Sequence, residues 1–190
     1  MQACVSKTPD TASAVDQWVY SNLVAPVVPR VIECGVSANA ITAAGMALSG
    51  AGVWAACVGY DATATVCTAL RVYCDWLDGP VARCSRSTSN LGDALDHASD
   101  LLFFGGMGWV LTRRLCGLAR CTFLLALAVL ALAAAASYGC TEKYSGSKHN
   151  RFLSALIPLC PSRGTQAMLQ KLNAGDLPIA LLYIAVLQLT

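Results

Sequence analysis

Aspartates dominate the stretch of this sequence that is best suited to chemistry. Five of the 11 acidic residues fall within 26 positions, and these are Asp75, Asp78, Asp93, Asp96 and Asp100. Asp75 and Asp78 are three residues apart, and Asp96 and Asp100 are four apart, so each pair shares one face of a helix. Carboxylates gathered in this way repel each other unless cations bind between them. Oxygen ligands suit Mg²⁺ or Mn²⁺, and two such ions would clamp a diphosphate and leave one carboxylate free as a base.

The same aspartates have a second interpretation, in which they cap helices and meet water. That interpretation fits Asp93, which lies near a predicted helix N-terminus where negative charge is favoured. It does not explain the four others together. Gly79 directly follows Asp78, and glycine lets a ligand approach the backbone closely. Arg83 would meet a phosphate through its planar guanidinium, although a lone arginine there also fits a membrane-interface residue.

The composition places these carboxylates in a membrane protein. The 190 residues are 56% hydrophobic and only 13% charged, whereas an ordinary soluble domain is about 25% charged. This composition argues against a disordered chain, a coiled coil and a soluble nucleic-acid binder. The net charge of +2 gives no basic field for nucleic acid, so no nucleic-acid partner is expected.

The apolar segments predict an all-α bundle of about six transmembrane helices, each needing roughly 20 residues to cross the hydrocarbon core. The predicted spans are Ala40–Tyr60, Ala62–Asp78, Gly92–Thr112, Ala119–Tyr138, Phe152–Leu172 and Leu177–Thr190. Prolines and charges interrupt the fifth span, and the sixth is short at 14 residues. A polar loop is expected between the second and third spans, from Pro80 to Asn90.

A separate segment precedes the first span. Residues 1–38 carry a rough amphipathic pattern that Pro26 and Pro29 interrupt. The pattern predicts a helix lying at the membrane surface, and the alternative is an irregular lead-in. The membrane domain then covers residues 39–190.

Charged residues within and between the spans give two further expectations. Arg71 and Asp75 are costly in lipid, so we expect them to face the protein interior or a wet cavity. Alternation of the spans puts the loops that contain Arg86 and Lys148 on one side of the membrane. That side carries more basic residues than the other, which predicts that it is cytosolic.

The ten cysteines are scattered and include no CxxC pair, which argues against a disulfide framework or a zinc site. Four of them, Cys57, Cys67, Cys121 and Cys160, lie in or beside apolar runs. We therefore expect small buried or lipid-facing side chains in a reduced protein.

The aspartates and their neighbours form a known pattern. It runs from Asp75 to Asp100 and reads D-x2-D-G-x2-A-R-x8-G-x3-D-x3-D, with every fixed position matched. The chain therefore resembles the CDP-alcohol phosphatidyltransferase class-I family. The segment Asn39-Ala40-Ile41-Thr42 also resembles the N-x-x-T motif that opens the first span in that family.

The resemblance implies a two-metal transferase. Members of the family move a substituted phosphate group from a CDP-linked donor to an acceptor alcohol and release CMP. Two Mg²⁺ or Mn²⁺ ions on the donor diphosphate would be held by Asp75, Asp78, Asp96 and Asp100. Asp100 would also be the general base that deprotonates the acceptor hydroxyl. The CDP-binding residues would be Asn39, Thr42, Gly79, Ala82, Arg83 and Gly92.

Two features of the chain point to different substrates. Compact members of this size resemble phosphatidylinositol and phosphatidylglycerophosphate synthases, which use CDP-diacylglycerol and a polyol such as inositol or glycerol phosphate. The D-H-x-x-D sequence around His97 resembles choline and ethanolamine phosphotransferases, which use CDP-choline or CDP-ethanolamine with diacylglycerol but are typically much longer. His97 also fits a simple headgroup contact. Candidates for binding an acceptor or lipid phosphate are Lys148, Arg151 and Arg163. An equally good interpretation is that these residues are solvated loop charges on the cytosolic side.

The resemblance also implies a setting for the protein. We expect a homodimer in the lipid bilayer with its active site on the cytosolic side. The membrane would be the endoplasmic reticulum in a eukaryote and the plasma membrane in a prokaryote. Two alternatives from other classes are a non-catalytic membrane protein and a divalent-cation transporter, but a transporter leaves the D-G-x2-A-R sequence unexplained.

Overall fold

The structure is a computed structural model that describes residues 14–87, 90–144, 154–161 and 176–189. Every regular element in these ranges is helical, which confirms the predicted all-α class. The α-helices are α1 (Ala14–Val19), α2 (Val28–Glu33), α3 (Ala38–Val58), α4 (Asp61–Cys84), α5 (Asn90–Arg114), α6 (Gly117–Tyr144) and α7 (Asp176–Leu189). A π-helical turn at Tyr20–Val24 follows α1, and a 3-10 turn at Ile157–Leu159 lies between α6 and α7.

Helices α3 and α4 form a tight antiparallel hairpin. The Ser37 hydroxyl caps α3 by accepting a hydrogen bond from the Ala40 amide at 3.2 Å. Gly59 ends the helix with a φ of +87°, a left-handed conformation that glycine adopts without strain. A Cβ added at Gly52 would lie 3.2 Å from the Cβ of Cys67, so the missing side chain lets the two helices approach closely.

The larger hydrophobic core joins α3 and α4 to the three later helices. Phe103 and Met107 of α5, Phe123 of α6 and Tyr183 of α7 are buried together in it. The Tyr183 hydroxyl donates a hydrogen bond to the Phe104 carbonyl at 2.7 Å, which satisfies the one polar atom of this buried side chain. The short last helix is therefore an integral part of the bundle.

The N-terminal segment packs against the end of the hairpin that carries Asp78. Val24 and Val28 are buried against Leu77 and Val81 of α4. The segment is broken between the π-helical turn and α2, and α2 has a proline in its first turn, where the missing N–H is tolerated. Its placement at a membrane surface stays a prediction.

Two helices of the described chain are long and apolar enough to cross a membrane, namely Ala38–Val58 and Gly117–Cys140. Helices α4 and α5 are also long, with 24 and 25 residues, but both carry several charged side chains. The apolar part of α7, Leu177–Leu189, is shorter than a usual span. The predicted total of six spans is therefore not established. The predicted fifth span lies largely outside the described residues.

The predicted start of the polar loop after the second span, at Pro80, is wrong. Helix α4 does not stop at Asp78 but continues to Cys84 with Pro80 inside it. Pro80 removes only one backbone N–H, and both Pro80 and Val81 are buried, so packing holds the last turns in the helical form. The polar loop is consequently shorter than Pro80 to Asn90, because its first residues are helical.

The expectation of a fully reduced protein is also contradicted. Cys140 at the end of α6 and Cys160 form a disulfide across 20 positions of sequence. Cys84 is disulfide-bonded as well, whereas Cys67 is buried and free. A disulfide depends on the distance between two residues in space, which the scattered spacing of the cysteines does not reveal.

Candidate active site

The candidate site is a pocket at the end of the bundle where α3 begins, α4 approaches its last turns and α5 passes beside both. The lining residues are Thr42 and Gly45 from α3, Arg71, Cys74, Asp75 and Asp78 from α4, and Ser99 from α5. The four residues from α4 lie at positions i, i+3, i+4 and i+7, which share one face of a helix. Helix α4 is continuous through the aspartate motif, so these four side chains all lie on the face of α4 that is directed at α3 and α5.

Asp78 is the most deeply buried aspartate lining the pocket, at 8% exposed. Thr42 donates its hydroxyl hydrogen to the Asp78 carboxylate, with a distance of 2.7 Å between Oγ1 and Oδ2. The same hydroxyl lies 3.2 Å from the Ala38 carbonyl within its own helix. Because one proton cannot serve both acceptors fully, the shorter contact to the charged carboxylate is the stronger one. This bond fixes the start of α3 against the motif in α4.

Arg71 connects the two motif helices. Its Nη2 atom lies 3.4 Å from Oδ1 of Asp75, one turn along α4, and also forms an ion pair with Oδ1 of Asp100 on α5. The side chain is 2% exposed, whereas the side chains of Asp75 and Asp100 are 23% and 24% exposed. The expectation that Arg71 faces the protein interior is therefore confirmed.

Gly79 and Arg83 pack against each other near the end of α4. A Cβ added at Gly79 would lie 3.0 Å from Nη1 of Arg83, so the guanidinium rests directly over the glycine backbone. Burial lowers the pKa of the Arg83 guanidinium from its ordinary value, while the neighbouring Tyr20 and Asp78 act to raise it. Arg83 is thus partly withdrawn from solvent rather than extended into it.

The oxygen donors of the pocket suit a hard divalent cation. The carboxylates of Asp75 and Asp78 and the hydroxyls of Thr42 and Ser99 line one space, and oxygen ligands are those that Mg²⁺ and Mn²⁺ prefer. Within the part of the chain that the structure describes, this space is not surrounded by three or more His, Cys, Asp or Glu side chains in a metal-binding arrangement. The Asp96 side chain lies outside the described residues, as do those of Asp93 and His97.

The structure brings together only some of the predicted site residues. Asp75, Asp78 and Thr42 line the pocket, and Asp100 joins them through Arg71. Among the described residues, the pocket lining does not include the other predicted CDP-binding residues, which are Asn39, Gly79, Ala82, Arg83 and Gly92. Asn39 is exposed. The three predicted phosphate-binding residues Lys148, Arg151 and Arg163 lie outside the described residues.

Sequence reasoning missed three members of the pocket and one contact. Gly45, Cys74 and Ser99 line the pocket but were not singled out as site residues. Ser99 lies three residues after Asp96, and Gly45 lies three residues after Thr42, so helical spacing from the motif residues was the available signal. The contact between Arg71 and Asp100 joins residues 29 positions apart and gave no local signal.

Comparison with known proteins gives one result. A family model described as CDP-alcohol phosphatidyltransferase matches residues 36–188, which cover α3 to α6, all but the last residue of α7, and the pocket. No curated protein matches the chain. No solved structure matches it either.

Proposed function

The chain belongs to the CDP-alcohol phosphatidyltransferase family, whose members are enzymes, and we propose that it transfers a phosphatidyl group from CDP-diacylglycerol. The acceptor is a hydroxyl of a polyol, such as inositol or glycerol phosphate, and the reaction releases CMP. The membrane is the source of this donor, in agreement with the apolar helices and the family.

The observation that carries this proposal is the pocket between α3, α4 and α5. Two motif carboxylates, Asp75 and Asp78, line it beside the hydroxyl of Thr42. A third carboxylate, Asp100, is tied to the same space through Arg71. Ionisable groups within a membrane protein are costly, so their concentration at one point supports a functional site.

Divalent cations complete the proposed site, as is general for this family. Asp75, Asp78, Asp96 and Asp100 would hold two Mg²⁺ or Mn²⁺ ions. The bound ions would offset the negative charge of the donor diphosphate. Thr42 keeps Asp78 oriented through its hydrogen bond of 2.7 Å.

Asp100 is the proposed general base. The acceptor hydroxyl gives its proton to the Asp100 carboxylate while its oxygen forms a bond to the phosphorus nearest the lipid. The bond between that phosphorus and the oxygen leading to CMP breaks, and CMP leaves with the electron pair. Arg71 holds one oxygen of Asp100, Oδ1, which leaves the second oxygen, Oδ2, for the proton.

The remaining predicted roles belong to the same proposal. Asn39, Thr42, Gly79, Ala82, Arg83 and Gly92 would surround the CDP moiety. Lys148, Arg151 and Arg163 would bind an acceptor or lipid phosphate. We further propose a homodimer with its active site on the cytosolic side of the endoplasmic reticulum or plasma membrane.

The experiment is CMP release by the purified chain in detergent with Mg²⁺ or Mn²⁺. CDP-diacylglycerol and CDP-choline are supplied separately as donors, each with inositol, glycerol 3-phosphate or diacylglycerol as acceptor. The proposal expects CMP only from CDP-diacylglycerol together with one polyol. Release only from CDP-choline with diacylglycerol would instead support the choline-type activity that His97 suggests. If no pair releases CMP and the chain, reconstituted in vesicles, lets divalent cations enter them, the results would favour a divalent-cation transporter.

A further inference from the structure

Arg71 is the most deeply enclosed charged side chain of the candidate site. Only 2% of it is exposed, and it lies on α4 one turn before Asp75. The rings of Phe103 and Phe104 lie next to each other beside its guanidinium carbon, each with its centroid 5.1 Å away. Arginine is costly to enclose in this way unless negative charges compensate it.

Two carboxylates from two helices provide that compensation. Nη2 of Arg71 contacts Asp75 and Asp100, while its Nη1 atom has no hydrogen-bond partner within the described structure. The positive charge is therefore directed at these two aspartates. Without a positive charge nearby, two carboxylates that approach the same point would repel each other.

We propose that Arg71 is an internal counter-ion that competes with divalent cations for Asp75 and Asp100. This inference rests on the proposed function, which assigns both aspartates to the metal ligands. In the absence of a divalent cation, Arg71 neutralises the two carboxylates and keeps α4 and α5 together. A cation that binds there must displace these ion pairs or share the carboxylates with a positive charge, which weakens its binding.

Coulomb's law gives the direction of the effect. A positive charge within hydrogen-bond distance of a carboxylate raises the energy of a second cation at the same carboxylate, and the effect is strong in a buried site. Replacing Arg71 by a neutral side chain should therefore tighten divalent-cation binding. A residue that merely supports the fold would leave this affinity unchanged or weaken it.

The chain contains a matched control at the other end of the same helix pair. Arg114 of α5 forms an ion pair with Asp61 of α4, and both side chains are partly exposed. This pair also joins α4 to α5, but it is remote from the pocket lining. Arg114→Met therefore removes an arginine–aspartate contact between the same two helices without changing the charge at the candidate site.

The experiment measures Mn²⁺ binding to the purified full-length chain in detergent, without nucleotide, from the free Mn²⁺ signal in electron paramagnetic resonance. Arg71→Met keeps an unbranched apolar side chain beside the two phenylalanine rings. We expect it to bind Mn²⁺ at least about tenfold more tightly than the unmodified chain. Arg71→Lys, which keeps the charge, should stay within about threefold, and Arg114→Met should not change the affinity.

Each other outcome has a defined meaning. Equal or weaker binding by a folded Arg71→Met variant overturns the counter-ion role but leaves the proposed function standing. If that variant does not fold, Arg71→Gln replaces it, because glutamine is neutral yet still donates hydrogen bonds to a carboxylate. If the unmodified chain and every variant bind no Mn²⁺ at millimolar concentration, both the counter-ion role and the proposed metal ligands are wrong.

Discussion

The two ends of the α4–α5 pair carry the same kind of contact in different surroundings. Arg71 of α4 contacts Asp100 of α5 at one end, and Arg114 of α5 contacts Asp61 of α4 at the other. Arg71 is 2% exposed and lines the pocket, whereas Arg114 is 20% exposed and lies near the turn after α3. The same two residue types thus serve a candidate active site at one end and a connection between helices at the other.

Burial and neighbouring groups make the difference. The Arg114 pair retains contact with solvent, where an ion pair contributes little because water competes for both charges. The Arg71 pair includes a second carboxylate, two aromatic rings and the pocket that contains Asp78. An inventory of ion pairs alone would treat the two ends as equivalent, although only one of them gathers several carboxylates.

The largest expected difference between the two ends is in stability. Without divalent cation, Arg71→Met should lower the free energy of unfolding by about 3 kcal/mol, because it leaves partly buried carboxylates without their counter-ion. We take the low end of the usual range since Asp75 and Asp100 are each about a quarter exposed. Arg114→Met should cost less than about 1 kcal/mol. Denaturation in detergent monitored by circular dichroism checks this, and equal losses would contradict the contrast.

Asp78→Ala, at the pocket end of the α4–α5 pair, should change both the rate of CMP release and its dependence on metal concentration. Substitutions of groups that merely orient metal ligands cost about 10- to 100-fold, so removing a proposed ligand should lower CMP release by more than about 100-fold. The Mn²⁺ concentration needed for half-maximal rate should also rise. Asp61→Ala provides the control at the other end and should leave both quantities unchanged. An unaltered Mn²⁺ titration for Asp78→Ala would remove that residue from the ligand set.

A smaller effect on CMP release is expected when a threonine hydroxyl is removed at the pocket rather than away from it. Thr42→Val deletes the hydrogen bond to Asp78 while keeping the shape of the side chain, and we expect CMP release to fall by about tenfold. Thr112→Val removes a hydroxyl that donates a hydrogen bond to the Gly108 carbonyl, one turn earlier in its own helix, at 2.7 Å. The control should change CMP release by less than about twofold, within the small effect of a local helix contact. Similar losses for both variants would show that the Thr42 hydroxyl has no special role.

The smallest expected effect concerns the backbone at the end remote from the pocket. Gly59 has a φ of +87°, so Gly59→Ala should destabilise the fold by about 1 kcal/mol. Gly50 lies within α3 and an added Cβ there meets nothing within 4 Å, so Gly50→Ala should not destabilise. Activity per folded molecule should be retained in both variants. A loss of specific activity in Gly59→Ala would mean that this end also affects the reaction.

The helical class and the main helix positions followed from the sequence because long apolar runs and helical spacing are local signals. A polar loop was predicted to begin at Pro80, whereas burial of Pro80 and Val81 keeps both residues within α4. The disulfide between Cys140 and Cys160 depends on a long-range approach that residue spacing does not encode.

The candidate site was only partly predictable for a similar reason. The spacing of Asp75 and Asp78 on one helix face placed both at the same pocket. The sequence also indicated that Arg71 would face inward, because a charged residue in an apolar span avoids lipid. It did not reveal which carboxylates Arg71 would contact, since the partner on α5 is determined by how the helices pack.

The central claim is that chemistry takes place at the Asp100 end of the α4–α5 pair, and the matched variants Asp100→Asn and Asp61→Asn test it most directly. Each variant keeps the size of the side chain and removes one charge from an arginine–aspartate contact. The measurement is metal-dependent CMP release from CDP-diacylglycerol with the preferred acceptor. We expect Asp100→Asn to lose at least about 100-fold of the rate while still binding the donor, and Asp61→Asn to retain it. Near-normal turnover by Asp100→Asn would contradict the account.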